Sequence, residues 1–391
     1  MDEILKEMFQ NILFAGLGAG ATYCYKKAKD EYNRYKLKVE LDKLKKRKRE
    51  IRVIDLANGD PYFAKRNIFV REVDIFGNKK SLYIDLDEEH KKILKDVERK
   101  KGYTNFHETH FQADRSFNNS NDFKDLAEMT EIKELPDLIN KHRKIVGEMF
   151  LNSKNGFIFN GRKYGIFNLS FKRFGDNEEP GAELELFETD YFTHRVFRSI
   201  YKELKEKNHP ITQVDNTNFL KYRPFLTSFG INTLLICEGE KGKEIVLSKR
   251  SPKVHGNHSL YHITMNEGLS VVDKDPFGKI DLELCFKRGL LEELGIDEKL
   301  YSLSKRAEFY DFFLEFNNFE IGLSSVLEIE LNFEKDIQPL IARDKTLETS
   351  KFITLPLKEK IIKNFVQNHN FIPHGEYVLE RVLLRENIRI Y

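Results

Sequence analysis

The stretch "RGLLEELGI", from Arg288 to Ile296, has the residue types and spacing best suited to chemistry. Glu292 and Glu293 are adjacent carboxylates near the end of a helical pattern, and Gly295 follows as a helix stop. Neighbouring carboxylates at one end of a helix can converge on Mg²⁺, which bridges phosphate oxygens and activates water. Ordinary amphipathic helices also end in Glu-Glu-Leu-Gly, so the surrounding elements must decide between the two interpretations.

Those elements are regular from about residue 225 onward. Apolar runs such as "INTLLIC", "KEIVLSKRS" and "AEFYDFFLEF" predict strands, and "DLELCFKRGLLEELGI" predicts the helix that ends at Gly295. The order predicts an α/β/α sandwich with a mixed sheet. Upstream, the pattern predicts an α+β region with a helix over 132–151. A tight Asn160-Gly161 hairpin turn and a strand from Tyr164 are predicted to follow it.

The same stretch resembles the second half of the Nudix box, R-E-U-x-E-E-x-G-U, in which U is aliphatic. The resemblance implies a Nudix-like domain over 216–391 that acts on nucleotides, with Mg²⁺ as a possible cofactor. It also implies that Glu292 and Glu293 are the metal ligands and the catalytic residues, if the domain is active. The matching positions are Arg288, Leu290, Glu292, Glu293, Gly295 and Ile296.

The chain departs from the Nudix box at three positions. Gly289 stands where the box has a glutamate after its arginine, and Lys274 and Ile280 stand where it opens with Gly and Glu. The pair Glu267-Gly268 is a candidate displaced equivalent, across a longer loop that contains Asp273 and Asp275. Because a lost carboxylate weakens the binding of a hard cation, whether the domain is an enzyme stays open, and a binding role is favoured.

A nucleotide pocket needs basic and aromatic groups for phosphates and bases. The strands and loops of the predicted domain offer several such groups, although each one alone also fits a solvated surface. The candidate ligand-binding residues are Arg250, Lys253, His255, His258, His262, Glu267 and Arg288.

The N-terminus contains an uncharged run of 18 residues from Met8 to Tyr25. As a helix it would span about 27 Å, close to the thickness of the hydrocarbon core. Gly16 and Gly20 form a G-x-x-x-G pair that would let two membrane helices pack closely. We therefore predict a transmembrane anchor over 1–25. A buried core helix is the alternative, and a dinucleotide-binding turn at Gly16, Gly18 and Ala21 fits poorly because the expected acidic residue about 20 positions on is missing.

Residues 26–53 hold 13 Lys and Arg against 5 Asp and Glu, whereas the whole chain of 391 residues has a net charge of only +2. This basic segment predicts a juxtamembrane helix on the cytoplasmic side, facing anionic lipid, with a nucleic-acid arm as the rival. Tyr25, Tyr32 and Tyr35 fall on one helical face that could pair with a copy of itself. The cysteines are isolated, which fits a reduced compartment and argues against a cysteine-built zinc site. They are Cys24, Cys237 and Cys285.

The predicted order is an anchor (1–25), a basic helix (26–53), an α+β region (54–215) and a Nudix-like domain (216–391). This order resembles the membrane-anchored Nudix effectors of bacterial CBASS anti-phage systems. The resemblance implies an inner-membrane, single-pass homo-oligomer with a cytoplasmic domain. That domain would bind a cyclic oligonucleotide made by a CD-NTase and trigger membrane disruption. An Mg²⁺-dependent Nudix hydrolase of nucleoside diphosphate derivatives and a soluble nucleotide-responsive regulator are the rival interpretations.

Overall fold

The structure is a computed structural model. It describes 25–29, 32–33, 35–36, 39, 53–56, 67–75, 81–101, 116–117, 120–151, 159–251, 260–345 and 349–390. By contacts the chain divides into two compact units, one of 1–49 with 59–61 and the other of 50–58 with 62–391. The predicted boundary between 215 and 216 stays a prediction, and both of its sides belong to the second unit.

In the first unit, the described residues between 25 and 39 are helical, as the basic segment predicts. Tyr25, Tyr32 and Tyr35 are exposed. The predicted transmembrane run, with Gly16 and Gly20, lies outside the described residues except for its last residue, Tyr25, so the anchor stays a prediction. Within the described ranges, no helix is long and apolar enough to span a bilayer.

The second unit is built on an eight-stranded sheet. The strands in chain order are β1 (Val53–Asp55), β2 (Ile68–Glu72), β3 (Tyr83–Ile84), β4 (Ser116–Phe117), β5 (Arg162–Phe174), β6 (Glu179–Asp190), β7 (Phe229–Gly239), β8 (Gly242–Arg250), β9 (Tyr261–Ile263), β10 (Met265–Gly268), β11 (Ser304–Glu315), β12 (Glu320–Ile329) and β13 (Thr349–Pro356). Along the main sheet they run β1-β11-β12-β7-β8-β13, with β10 beside β7 and β9 beside β8. Only β12 and β7 are parallel neighbours in this sheet, so it is mixed, as predicted.

Helices cover both faces of this sheet. The helices are α1 (Glu88–Lys101), α2 (Ser120–Thr130), α3 (Leu135–Leu151), α4 (Tyr191–Glu206), α5 (Leu282–Gly289), α6 (Glu298–Tyr301), α7 (Glu359–Asn368) and α8 (Pro373–Arg385). Along β7 the side chains alternate, because Ile231 and Leu235 join the core that contains Phe286 of α5 while Leu234 and Ile236 join the core that contains Leu379 of α8. We call the first face the α5 face and the second the α8 face. This two-sided burial confirms the layered α/β/α arrangement.

The α+β region contributes α1 to α4 and a three-stranded sheet in the order β2-β6-β5. The strand predicted from Tyr164 is confirmed, but its hairpin partner is β6, reached through a turn that contains Gly175 at φ +70°. Asn160 does not make the predicted hairpin turn. Its side chain donates to the Asp190 carboxylate and accepts from the Phe192 backbone N–H, so it anchors the start of α4. The polar side chain at this position acts as a cap because the orphan N–H groups of α4 lie beside it.

Candidate functional site

Helix α5 brings the residues of the Nudix-like stretch together on the α5 face. The Asp281 carboxylate accepts from the Glu283 backbone N–H at 2.8 Å and so caps the start of α5. The helix continues through a π-helical turn over Leu290–Leu294 and ends at Gly295, whose φ of 80° is the left-handed conformation that glycine adopts most readily. The predicted glycine stop is therefore confirmed. The π turn also places Glu292 and Glu293 within one wide turn, an irregularity that is frequent at functional sites.

Arg288 is the centre of this site. Its guanidinium forms a two-pronged contact with Asp273, with Nε to Oδ1 and Nη2 to Oδ2 both at 2.8 Å. Nη1 donates to Glu267 at 2.8 Å and to Glu292 at 3.3 Å, and Nη2 donates to the Gly268 carbonyl at 2.8 Å. We call Arg288, Glu267, Asp273 and Glu292 the Arg288 cluster. The predicted displaced pair Glu267-Gly268 does meet the arginine here.

The charge balance of the Arg288 cluster is acidic, because three carboxylates surround one guanidinium. Burial alone would disfavour the charged arginine. The hydrogen bonds that Arg288 donates to Asp273 and the charge of Glu267 outweigh burial and raise the pKa of Arg288 above its ordinary value. The guanidinium is therefore permanently charged and takes the central position among these oxygens.

The two adjacent glutamates point to different partners. Glu292 accepts from Arg288 and also from Nη2 of Arg343 at 2.5 Å. Glu293 is buried, and its Oε1 accepts from the Asn266 backbone N–H at 3.2 Å. No group of three or more His, Cys, Asp or Glu side chains in the described part of the chain is arranged to hold a metal ion. Glu292 is engaged by two arginines and Glu293 by a backbone N–H, and their roles as metal ligands and catalytic residues stay predictions.

The presence of glycine at position 289 has a steric explanation. A Cβ at this position would lie 2.6 Å from Cβ of Glu267 and 2.9 Å from Sδ of Met265. Helix α5 therefore approaches β10 so closely that only glycine fits, and the box glutamate has no room at position 289. A glycine inside a helix is unfavourable by roughly 0.5–1 kcal/mol relative to alanine, so close packing is the reason for its presence.

The other two departures lie in the loop before α5. Lys274 and Ile280 form an antiparallel bridge that closes this loop. Ile280 is buried, and Nζ of Lys274 lies 3.4 Å from the Glu72 carboxylate. Asp275 accepts from the Phe277 and Lys279 backbone N–H groups and so shapes the loop turn. These residues hold Asp273 in the Arg288 cluster rather than offering a metal ligand.

The remaining predicted ligand residues do not gather at the Arg288 cluster. His262 is buried under the first turn of α8, where its Nε2 lies 2.9 Å from Nε2 of His374. Burial, with the nearby His374, lowers the pKa of His262, so its ring is neutral at physiological pH. Arg250 ends β8, and its Nε has no hydrogen-bond partner among the residues described. Lys253, His255 and His258 lie outside the described residues.

Two residues of the site were not predicted from the sequence. Arg343 reaches Glu292 from 51 positions downstream, and Asn266 binds Glu293 through its backbone. A local motif cannot indicate either one, because a distant loop supplies the first contact and a main-chain group supplies the second.

No family model matches the chain, and no curated protein matches it. Among solved structures it is similar to DR0079 from Deinococcus radiodurans, with 13% identity and a TM-score of 0.28 over 39% of this chain and 82% of that one. It is also similar to the Nudix domain of Shewanella oneidensis NrtR complexed with ADP-ribose, with 14% identity and a TM-score of 0.29 over 40% and 87%. A MutT Nudix hydrolase from Burkholderia pseudomallei gives 16% identity and 0.26 over 40% and 97%. Similarity at this level does not decide the fold or activity of this chain.

Proposed function

We propose that the C-terminal part of this chain is a Nudix-like domain that binds a nucleotide derivative and hydrolyses it poorly or not at all. One observation carries the proposal: the Arg288 guanidinium holds the carboxylates that would otherwise be free for a divalent cation. Gly289 supports it, because the close contact with β10 leaves no room for the missing glutamate. A site with this arrangement suits a sensor, in which a ligand changes a structure, better than a phosphohydrolase.

The finer form of the proposal is a membrane-anchored CBASS effector that binds a cyclic oligonucleotide from a CD-NTase. It rests on the predicted order of anchor, basic helix and Nudix-like domain, and on the helical conformation of the described residues between 25 and 39. In this account the chain sits in the inner membrane as a homo-oligomer with its C-terminal domain in the cytoplasm. Ligand binding brings the cytoplasmic domains together, and the helices that carry Gly16 and Gly20 then associate and perturb the bilayer.

Binding and turnover are tested together on the full chain. Cyclic di- and trinucleotides, ADP-ribose and nucleoside diphosphate sugars are screened by isothermal titration calorimetry and, with Mg²⁺ present, for hydrolysis products. We expect binding of at least one cyclic nucleotide without efficient turnover. Efficient Mg²⁺-dependent turnover that is lost in a Glu292→Gln, Glu293→Gln double variant would establish the hydrolase instead. If no nucleotide binds, the proposed function is wrong.

The hydrolase remains the second candidate because of one observation, the acidic excess of the Arg288 cluster. Three carboxylates around one guanidinium leave two negative charges uncompensated within the cluster, and the neighbouring Arg343 offsets one of them. An acidic excess attracts divalent cations. In this account a substrate would have to separate Arg288 from Glu292 before any metal could bind.

The membrane part has its own test. The full chain should pellet with membranes and require detergent, whereas release by carbonate or high salt would exclude an integral anchor. Replacing both Gly16 and Gly20 with Leu keeps the segment apolar but blocks close helix packing. The double variant should still insert and bind ligand, and should lose toxicity on co-expression with a cyclic-nucleotide synthase. Killing that persists in this variant would remove the helix-packing step from the proposal.

A further inference from the structure

A cavity of about 200 Å³ lies on the α8 face of the main sheet. It is separate from the Arg288 cluster, which lies on the α5 face. Its floor is formed by three neighbouring strands, since Gly230 and Asn232 on β7 pair with Gly268 and Asn266 on β10, and Gly322 on β12 pairs with Gly230. Residues of the α+β region and of β11, β12 and α8 form its walls.

Gly268 leaves bare backbone on this floor. A Cβ at Gly268 would meet nothing within 4 Å, so the space above it is open. At Gly322, by contrast, a Cβ would collide with the Phe313 ring and lie 2.8 Å from Nδ2 of Asn232, so these two side chains cover that glycine. Glycine in a strand often marks a place where a ligand approaches the backbone closely. The floor is therefore accessible to a planar group at Gly268, with Phe313 as an apolar wall.

Asn232 provides an independent sign of a ligand. It is only 3% exposed, yet its Oδ1 has no hydrogen-bond partner among the described residues. Its Nδ2 reaches only the Gly230 carbonyl, at 3.4 Å. A buried polar atom without a partner costs about 1–3 kcal/mol, so such an atom in a cavity wall calls for an explanation. A ligand edge that carries both a donor and an acceptor would satisfy the amide, whichever way it is oriented.

The ionisable groups around the cavity have hydrogen-bond partners. Nζ of Lys163 donates to Oγ of Ser228 at 2.7 Å, and His194 lies 3.1 Å from the Glu320 carboxylate. Burial lowers the pKa of His194 to about 4, so the ring is neutral at physiological pH. Glu315 accepts from the Asn317 backbone N–H at 2.8 Å. The walls therefore favour a neutral group with hydrogen-bonding edges over a highly charged one.

Size restricts the ligand further. Pockets for drug-sized ligands usually measure about 300–1,000 Å³, so a cavity of about 200 Å³ holds a single ring system rather than a whole nucleotide. A nucleobase is flat, has an aromatic face and carries donors and acceptors on one edge. These properties match the bare floor, the Phe313 wall and the unsatisfied amide.

We infer that this cavity receives the nucleobase of the nucleotide derivative, with the Asn232 amide reading the base edge and the sugar and phosphates remaining outside. The inference rests on the proposed nucleotide binding and adds where and how the base is held. It also links the base to the Arg288 cluster. Asn266 lines the cavity while its backbone N–H binds Glu293, and Gly268 lines the cavity while its carbonyl binds Arg288.

The test uses Gly268, because the open space above it accepts a side chain. Gly268→Leu places a side chain in the open space above this residue and keeps the backbone carbonyl that accepts from Arg288, and Gly268→Ala adds a single methyl group there. The full chain and both variants are titrated with adenosine, guanosine, cytidine and uridine, their 5′-monophosphates and cyclic di-AMP. Gly268→Leu should weaken binding of the best nucleoside by at least about tenfold, or 1.4 kcal/mol, and Gly268→Ala should weaken it by a smaller factor. Circular dichroism and thermal melting confirm that each variant folds.

A second variant tests the reading of the base. Asn232→Leu conserves size and removes the unsatisfied amide, so it should fold with unchanged or higher stability and lose discrimination among the four nucleosides. If a folded Gly268→Leu and Asn232→Leu both retain wild-type affinity and preference, the cavity is not the base site, although nucleotide binding and the proposed function stand. If the wild-type chain binds none of these probes, the inference fails, and the proposed function fails with it only if the wider nucleotide screen also shows no binding.

Discussion

Arginines on the two faces of the main sheet differ in their exposure and in the number of carboxylates around them. On the α8 face, Arg385 forms a two-pronged pair with Asp311, with both contacts at 3.0 Å and side-chain exposures of 3% and 0%. On the α5 face, Arg288 is 20% exposed and contacts three carboxylates. The first is sealed in the core, where Arg385 and Arg381 face Asp311 and Asp55 in equal number. The second is a partly open cluster with more acid than base.

The difference separates a structural role from a binding role. Burial alone would raise the pKa of Asp311, but the charges of Arg385 and Arg381 outweigh it and lower that pKa. A sealed pair with matched charge needs no further partner. The Arg288 cluster keeps an acidic excess beside solvent, which a merely structural ion pair does not require. This contrast is the physical basis for placing the function at the Arg288 cluster and at β10, which carries its partners Glu267 and Gly268.

The largest effect is expected at the sealed pair. Arg385→Met leaves the Asp311 carboxylate buried without its main partner and should lower the free energy of unfolding by about 3–5 kcal/mol. Urea denaturation followed by circular dichroism measures this. An Asp311→Leu, Arg385→Met double variant is the control and should recover most of the loss, because no charge is then stranded. A loss below about 1 kcal/mol in the single variant would contradict the sealed-pair description.

The next largest effect is expected at Glu315, which lines the cavity on the α8 face. Its contribution to the free energy of unfolding should depend on pH. Burial, with the neighbouring Glu320, raises its pKa from 4.5 to about 7. A raised carboxyl pKa in the folded state means that the folded chain binds more protons, so the stabilisation is full below pH 4.5 and is lost as pH rises through about 7. At about 1.4 kcal/mol for each pKa unit, the full loss is about 3 kcal/mol.

The measurement is the free energy of unfolding of wild type and Glu315→Gln across this pH range. The variant cannot titrate, so wild type should lose stability relative to it as pH rises. The contribution of His194 to stability has the opposite pH dependence. Its pKa is lowered from 6.5 to about 4 in the folded state, so this contribution is full above pH 6.5 and is lost as pH falls towards 4. Its contribution is common to both proteins and cancels in the difference. Parallel pH profiles for wild type and variant would contradict the raised pKa of Glu315.

The third prediction concerns Arg288 itself. Arg288→Ala should destabilise the fold by about 2 kcal/mol, less than Arg385→Met, because water can enter the partly open cluster. It also leaves Glu267, Asp273 and Glu292 without their shared cation. Mn²⁺ or Mg²⁺ should then raise the melting temperature of this variant by binding the folded state. Arg385→Met, with one carboxylate, is the matched control and should not respond. An equal ion-dependent rise in wild type would mean that the arginine does not keep cations out.

The smallest effect is expected at Arg343, whose side chain is 67% exposed beside Glu292. An exposed ion pair contributes about 0–1 kcal/mol and weakens with salt. Arg343→Ala should therefore change the free energy of unfolding by less than about 1 kcal/mol, with the difference reduced at high ionic strength. A larger, salt-independent loss would show that Arg343 belongs to the cluster as firmly as Arg288 does.

The sequence was sufficient for elements whose signals are local. The strands from β7 onward and the helix that stops at Gly295 follow from apolar periodicity and one glycine. The contact of Glu267 with Arg288 did not follow, because the sequence indicated Glu267-Gly268 only as a displaced equivalent of the opening of the box.

Contacts between distant segments did not follow. Val53 pairs with Glu315 across the sheet, and the cavity joins Lys163 to Glu320. Asn160-Gly161 is a typical hairpin-turn sequence. The Asn160 side chain nevertheless caps α4, because the Asp190 carboxylate and the Phe192 backbone N–H lie beside it. In the sequence, Gly289 indicates only that a carboxylate ligand is missing. The structure gives the steric reason, because a Cβ at this position would lie 2.6 Å from Cβ of Glu267. In each case the deciding atoms are far apart in the chain or belong to the backbone.

The contact of Gly289 with β10 also constrains how this site can evolve. A glutamate at position 289 would collide with Glu267 and Met265, so Gly289→Glu alone would disrupt the helix–strand contact before it could supply a carboxylate. Space at positions 265 and 267 must open first, and a change at Glu267 removes one partner of Arg288. The substitutions are therefore epistatic and must occur in order, and each early step is unfavourable without the later ones. Gly289→Glu alone therefore does not create a glutamate-bearing box in this chain.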